Sequence, residues 1–501
     1  MYSRINSSVC FGIEGMSVYV ETDIARGLPG INIVGLPSTM VMEARERIKS
    51  AVINSGFDFP RGRITVNLTP ASLRKNGSCL DLPMAVGILC CSGYFSGHMC
   101  RGWGMIGELS LDGRVLGVDG ALPMMLHMVD TGLEGIVVPE ANRSEAVIAG
   151  GNIHTASSLA ECVDILKRRP KEAMLDPGIE GTKKAPETAD FADIAGQENA
   201  KRALVVAAAG RHGILLKGSP GCGKTMLARR MPGIMPGMSE REMLETAIIR
   251  SVDGHSGEET ELCRVRPFRA PHHSIGRAGL IGGGLHPVPG EITMAHNGVL
   301  FLDEVCEFDR RTIEGLRQPL EDKAISHTRK GETYRFPCNF QLMMAANPCP
   351  CGFLGDRDRE CSCSQADIER YKRRLSGPIM DRIDMCISME KVTYGELTGA
   401  RSGLDTLTMR TQVEAAGAFA ASQGRSGYNS ELTARDTEIH CRLGSKETGF
   451  MNSAYDKFNM SPRAYARTLK VARTIADLDA RASINTEHLA EALGYRFEYD
   501  I

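Results

Sequence analysis

The segment Gly218-Ser219-Pro220-Gly221-Cys222-Gly223-Lys224-Thr225 fits the spacing G-x-x-x-x-G-K-[ST], and its chemistry is phosphate binding. Glycines let successive backbone N–H groups close around an anion, the following helix N-terminus adds its dipole, Lys224 can reach β- and γ-phosphate oxygens, and the Thr225 hydroxyl can ligate Mg²⁺. Cys222 falls where the pattern leaves the residue free, so a tolerated small side chain is expected there rather than a redox switch. About 80 residues beyond Lys224, the apolar run Val299-Leu300-Phe301-Leu302 ends in Asp303-Glu304. Asp303 is expected to hold Mg²⁺ through water, and Glu304 to polarise the water that attacks the γ-phosphate. A second apolar run, Leu342 to Ala346, ends in Asn347, whose amide can hydrogen-bond the γ-phosphate or the attacking water. Together these residues point to hydrolysis of ATP, with ATP and Mg²⁺ as cofactors.

Such chemistry needs strands that deliver their C-terminal ends to one edge of a sheet. Gly213 to Leu216 is apolar and directly precedes the glycine loop, and Met226 to Arg230 after it is rich in helix formers, so strand, loop and helix arrive in the required order. From Phe191 to about residue 390, strand-like runs alternate with amphipathic helices, the pattern of a parallel α/β sheet. Beyond about 391 the pattern is helical. Before 168, alternating segments (Ser17 to Thr22, Arg63 to Leu68) mix with helical ones (Thr39 to Asn54, Pro83 to Gly93), which reads as α+β. Residues 169–188, rich in charge, Pro and Gly, read as an exposed linker.

At 501 residues the chain is long enough for three domains. Its formal net charge of -2 argues against a wholly basic nucleic-acid binder but leaves room for a local basic patch. No leader pattern and no apolar stretch of spanning length is seen, so a cytoplasmic protein without membrane segments is expected. Most of the 16 cysteines are scattered singly, which reads as buried thiols in a reducing compartment. Cys349-Pro350-Cys351 and Cys361-Ser362-Cys363 are different: two C-x-C pairs flank nine residues of Gly- and Asp-rich loop. Four soft thiolates there suit a structural Zn²⁺ site. Free thiols or a redox-sensitive cluster are the alternatives.

Five further segments carry a family resemblance: Phe268 to His273, Ala278 to Gly284, Pro289 to Ile292, Ala295 to Glu304 and Ser376 to Asp384. Through them the chain resembles the ComM/YifB family of magnesium-chelatase-like AAA+ proteins, over essentially its whole length. The resemblance implies a multidomain α/β architecture: a Lon-protease-like α+β domain over 1–168, an AAA+ motor over 189–390 with a cysteine insert at 349–363, and a helical lid over 391–501. It implies a homo-oligomeric, hexameric ring that acts on single-stranded or branched DNA in branch migration, recombination and natural transformation. A magnesium-chelatase motor subunit, or a regulatory ATPase that remodels a protein partner, is the alternative. Residue by residue, Arg382 matches the arginine finger, with Arg374 as its alternative, and Arg463 matches the sensor 2 arginine.

Residues 104–140 resemble the proteolytic domain of Lon, which needs a Ser–Lys dyad. The serine position falls on Cys79, beside Ser78, and the lysine position on Pro123, so an inactive protease scaffold is expected. Between Asp303 and Asn347, residues Ala324 to Phe336 read as two strands around a basic turn. In related motors a hairpin here projects into the ring pore, which makes His327, Arg329 and Lys330 candidates for DNA phosphate contacts, against the alternative of a solvated tip. A second candidate surface holds Arg269, His272, His273 and Arg277. The adjacent histidines are expected to point to opposite faces of an extended chain, so no metal is assigned to them.

Overall fold

The computed structural model describes residues 2–73, 75, 77–172, 189–254, 262–284, 287–329, 331–356, 358–375, 377–398 and 404–497. Lys330 and nearly all of the 169–188 linker lie outside these residues.

The long strands Tyr2–Phe11 and Glu14–Ala25 pair antiparallel from Tyr2↔Asp23 to Phe11↔Glu14, turning at Gly12, whose φ of +65° suits a residue without Cβ. They form the centre of a seven-stranded mixed sheet in the order Gly30–Val34, Arg63–Thr69, Glu14–Ala25, Tyr2–Phe11, Trp103–Met105, Gly135–Pro139, Ile153–Ala156. Helix Thr39–Asn54 starts where Ser38 Oγ accepts from Val41 N. It buries Val41, Ala44, Ile48, Ala51 and Val52, a stripe of helical period, into a core shared with the wholly buried helix Asp81–Cys91.

The chain divides into two compact units that do not follow its linear order. Unit one takes Met1–Lys183 together with Glu240–Cys263 and Thr328–Arg335, two stretches that the sequence reading placed in the 189–390 segment. Within it, Ser251 of helix Glu240–Asp253 caps the start of helix Ala121–Asp130: Gly120 N donates to Ser251 O at 2.7 Å and Leu122 N to Ser251 Oγ at 3.2 Å. These are first-turn amides that a helix cannot satisfy internally. Tyr334 stacks on Phe11 with ring centroids 4.2 Å apart.

Unit two is built on a five-stranded sheet in the order Phe268–Arg269, Val299–Leu302, Gln341–Ala346, Ile214–Gly218, Met385–Met389, with every pair parallel. All residues of Val299–Leu302 and Gln341–Ala346 are buried, as a sheet covered on both faces requires. The C-terminal region is helical: Thr406–Ser422, Ala434–His440, Ser445–Lys457, Pro462–Leu478 and Thr486–Phe497. Its interior holds a buried polar knot in which Asp477 accepts from Arg425 at 2.6 and 2.7 Å, from Arg473 at 3.1 Å and from Asn429 at 2.8 Å. Both guanidiniums thus share one buried carboxylate, which supplies the counter-charge a buried cation needs.

Candidate active site

Strand Ile214–Gly218 delivers the glycine loop to the C-terminal edge of the parallel sheet. Gly221 and Gly223 take φ of +82° and +95°, a backbone that side chains with a Cβ rarely adopt. A Cβ at Gly218 would lie 2.6 Å from Met389 O, so that glycine serves close packing instead. Helix Lys224–Ile234 follows at once and aims its N-terminus at the loop.

Lys224 is buried, and its Nζ donates to Gly218 O at 2.6 Å, Ser219 O at 3.0 Å and Asn347 Oδ1 at 3.1 Å. The lysine and the asparagine, 123 positions apart in the chain, therefore meet directly. Thr225 Oγ1 donates to Asp303 Oδ2 at 2.6 Å. A hydroxyl beside a carboxylate is the all-oxygen set that Mg²⁺ takes, so these two side chains fit that ion. Glu304 follows with φ of +49°, its backbone N donating to Asp303 Oδ1 at 2.9 Å and its side chain exposed. With ATP seated in the loop, such an arrangement can bind phosphate, hold a hard cation and present an exposed carboxylate to water.

Several contacts escaped the sequence reading. His273 Nδ1 lies 3.7 Å from Glu304 Oε2. The expectation that His272 and His273 diverge is wrong: Ile275 N donates to His272 O at 3.0 Å, closing a turn, and the two rings lie with centroids 4.0 Å apart. Gln197 Nε2 donates to Cys222 O at 3.3 Å and Glu390 O at 2.6 Å, tying a distant loop to the glycine loop. No local pattern marks a single glutamine for this. Arg269 is held by Glu291 in a bidentate pair at 2.6 and 2.7 Å, which commits its charge within the protein.

Arg382 and Arg463 line one cavity of about 320 Å³, together with Arg467, Lys470, Glu321 and Asp384. Arg382 bonds Glu321, and Arg463, near the start of helix Pro462–Leu478, is exposed. Gly213 also lines this cavity, so it opens at the N-terminal end of the strand whose C-terminal end carries the glycine loop. At about 3.3 Å per residue Gly213 and Gly218 are roughly 16 Å apart, beyond the reach of an arginine side chain. Arg374 lies elsewhere, its Nη1 donating to Cys306 O at 3.1 Å and to Glu307 at 2.9 Å.

The four cysteines of the C-x-C pairs come together, with Sγ atoms all within 4.8 Å of one another. Such a thiol cluster can bind a metal. Hairpin strands Ala324–Arg329 and Glu332–Pro337 pair as expected, with Arg329 exposed and His327 half-buried. In unit one, the Cys79 thiol is buried and pushed up to about 12 by desolvation, with the Asp81 carboxylate adding to the effect, and it holds its proton. Ser78 Oγ donates to Glu108, and Pro123 is buried near the start of helix Ala121–Asp130.

Among the described residues no helix is long and apolar enough to cross a membrane. The family model described as "Magnesium chelatase, subunit ChlI" matches residues 190–397, "Subunit ChlI of Mg-chelatase" matches 20–142, and "Magnesium chelatase, subunit ChlI C-terminal" matches 403–496. Competence protein ComM of Haemophilus influenzae is 39% identical over 515 residues, covering 99% of this chain and 97% of that protein. YifB of Escherichia coli is 38% identical over 496 residues, covering 99% and 97%. Lon protease 2 of Bacillus subtilis is 30% identical over 146 residues, covering 27% of this chain and 26% of that protein. Matched over nearly its whole length by the ComM and YifB relatives and carrying a preformed phosphate loop, the chain belongs to the ComM/YifB family of magnesium-chelatase-like AAA+ ATPases.

Proposed function

We propose that this chain is the subunit of a homo-oligomeric, hexameric ring that uses ATP to move along single-stranded or branched DNA in the cytoplasm, promoting branch migration in recombination or natural transformation. The carrying observation is the split of the catalytic set: Lys224, Thr225, Asp303, Glu304 and Asn347 gather at one end of the sheet, while Arg382 and Arg463 share a cavity at the other. One copy cannot bring these groups to one phosphate. A ring of copies can, because the cavity face of one subunit then meets the loop face of the next.

In this reading Gly218 to Thr225 bind the phosphates, Thr225 and Asp303 hold Mg²⁺, and Mg²⁺, when bound, neutralises charge on the β- and γ-oxygens. Glu304 orients and polarises the attacking water, with Asn347 fixing the γ-phosphate. Arg382 and Arg463 of the neighbouring subunit stabilise the charge on the transferred group. The Lon-like domain does not cleave peptides, since its Cys79 is a buried thiol and Pro123 offers no base. Cys349, Cys351, Cys361 and Cys363 hold one Zn²⁺ as a structural site, all four positions being protein ligands.

For DNA, the support is the hairpin between Asp303 and Asn347 with Arg329 exposed, and the naming of the Haemophilus influenzae relative as a competence protein. One observation favours a second reading, a magnesium-chelatase motor subunit: all three family models carry that description. ATP hydrolysis measured with forked DNA, single-stranded DNA and no DNA separates the two. A DNA motor accelerates on nucleic acid. Hydrolysis that is indifferent to every DNA structure tested would refute the DNA reading and leave the ATPase assignment in place.

A further inference from the structure

The cysteine cluster does not stand apart from the nucleotide site. Sγ–Sγ separations are 3.3 Å for Cys349–Cys351, 3.6 Å for Cys349–Cys361 and 3.5 Å for Cys351–Cys361, and Cys351 N donates to Cys363 Sγ at 3.3 Å. A disulfide would bring sulfurs to about 2.05 Å. Four thiolates about 2.3 Å from a shared tetrahedral cation stand roughly 3.8 Å apart along each edge. The separations among Cys349, Cys351 and Cys361 are close to the second spacing and far from the first. Its first ligand, Cys349, is fully buried and follows Asn347 with only Pro348 between them, so the position of that sulfur governs where the Asn347 amide sits.

The loop that the cysteines close leans on the phosphate loop itself. Gly352, with φ of +83°, lies so near Pro220 that a Cβ would fall 2.6 Å from Pro220 Cδ and 2.7 Å from Cγ. Asp356 accepts from Lys391 Nζ at 3.0 Å and faces the Ser219 hydroxyl. Phe353 is flanked by two cations, Arg359 at 4.9 Å and Lys391 at 5.7 Å from its ring centre. Beyond these contacts the loop is short, polar and rich in Gly and Asp, and it has little apolar surface with which to order itself.

We propose that the metal-closed loop from Cys349 to Cys363 is a clasp on the nucleotide site: the bound cation fixes Asn347 and the Ser219-Pro220 turn in register, so metal occupancy sets the rate of ATP hydrolysis and not the affinity for ATP. The proposal rests on the zinc reading above. Lys224 and the helix N-terminus bind phosphate whether or not the clasp is closed. Asn347 aligns the γ-phosphate with the attacking water, and a displacement of about 1 Å there can cost on the order of 100-fold in rate.

The test uses the full-length protein purified without added metal. Elemental analysis, nucleotide affinity and kcat are measured for wild type, for Cys361→Ser with Cys363→Ser, and for Gly352→Ala, which leaves every ligand in place but pushes the loop off Pro220. Wild type should carry about one zinc per chain. The double serine variant should lose the metal and at least about tenfold in kcat, with nucleotide affinity within about threefold of wild type. Gly352→Ala should keep its zinc and still lose kcat. Wild type stripped by a chelator should slow likewise and recover when zinc is returned. A folded, metal-free wild type overturns the zinc reading. Zinc-bearing wild type whose stripped form hydrolyses ATP at the original rate, or a zinc-retaining Gly352→Ala with unchanged kcat, overturns the clasp and leaves the zinc site standing. Should the double serine variant bind no nucleotide, those two measurements decide.

Discussion

Glu304→Gln and Lys224→Ala should fail at different steps, and the geometry sets how far apart the failures lie. Glu304 is exposed, and its side chain has the His273 ring nitrogen at 3.7 Å, so the neutral isostere costs the fold less than about 1 kcal/mol. Its backbone already adopts φ of +49°, which Gln tolerates as Glu does. What disappears is the carboxylate proposed to polarise water. A positioned general base contributes about 10²- to 10⁴-fold, or about 3–5 kcal/mol on the barrier. Lys224 is different, because its ammonium, now held by three acceptors at 2.6 to 3.1 Å, is the buried cation that phosphate oxygens would engage. Losing two charge-assisted hydrogen bonds at about 1.5–3 kcal/mol each weakens ATP binding by about 10²- to 10⁴-fold. Binding of a fluorescent ATP analogue with Mg²⁺, followed by single-turnover phosphate release, separates the variants. Glu304→Gln should bind within about threefold of wild type and release phosphate at least about 100-fold more slowly, whereas Lys224→Ala should stay unbound where wild type saturates. Glu304→Gln turning over within about threefold of wild type, or Lys224→Ala binding within about tenfold, would refute the assignment.

Arg382→Ala should bind ATP normally yet hydrolyse it about 10³-fold or more slowly. Mixed with inactive Glu304→Gln it should regain turnover, because some interfaces then pair an intact Glu304 with an intact Arg382; no recovery on mixing would rule out action between subunits. Replacing Arg329 and Lys330 together by alanine should leave DNA-independent hydrolysis intact while lowering DNA-stimulated hydrolysis and flattening the salt dependence of DNA binding, by about 0.7–0.9 in the log–log slope per lost phosphate contact. An unchanged slope would make the hairpin a solvated tip. Burial pushes the Asp81 carboxyl up to about 6 from 3.8, against the opposing pull of the Arg47 guanidinium at 2.9 Å. Below the unfolded value both states hold the proton; between about 4 and 6 only the folded state keeps it, so this stabilisation is present at low pH and is lost as pH rises through about 6. Asp81→Asn, neutral throughout, should therefore gain on wild type by up to about 3 kcal/mol between pH 4 and 7, offset by a constant cost for the lost Arg47 pair. Urea unfolding followed through Trp103, the single tryptophan, reads that difference, and a flat difference across the window would contradict it.

The parts of this protein legible in its sequence are those decided within a few residues of chain. Gly221 and Gly223 announce left-handed backbone, the buried runs Val299–Leu302 and Gln341–Ala346 announce central strands, and the polar residue after each run marks the sheet edge. The helix at Thr39–Asn54 follows from its apolar period and its Ser38 cap in the same way. Two C-x-C pairs on a short polar loop likewise declare a cluster, since so short a connection leaves four thiols few places to go. Steric limits on φ and ψ, and the burial period of a helix or strand, act locally and leave a local trace.

Packing between distant segments leaves no such trace, and tertiary structure alone decided the rest. A turn at His272 brought two histidine rings together where an extended chain would have parted them. Glu240–Cys263 and Thr328–Arg335 joined unit one because Ser251 caps a helix there and Tyr334 finds the ring of Phe11, neither of which composition or periodicity encodes. Gly352 met Pro220, coupling the thiol cluster to the phosphate loop. Arg382 and Arg463 carry the motifs of an arginine finger and a sensor 2 arginine, but only the direction of one parallel strand puts both at the end opposite the phosphate loop. Which end of a strand a residue occupies depends on how the sheet is assembled, and that is a property of the whole fold rather than of any segment in it.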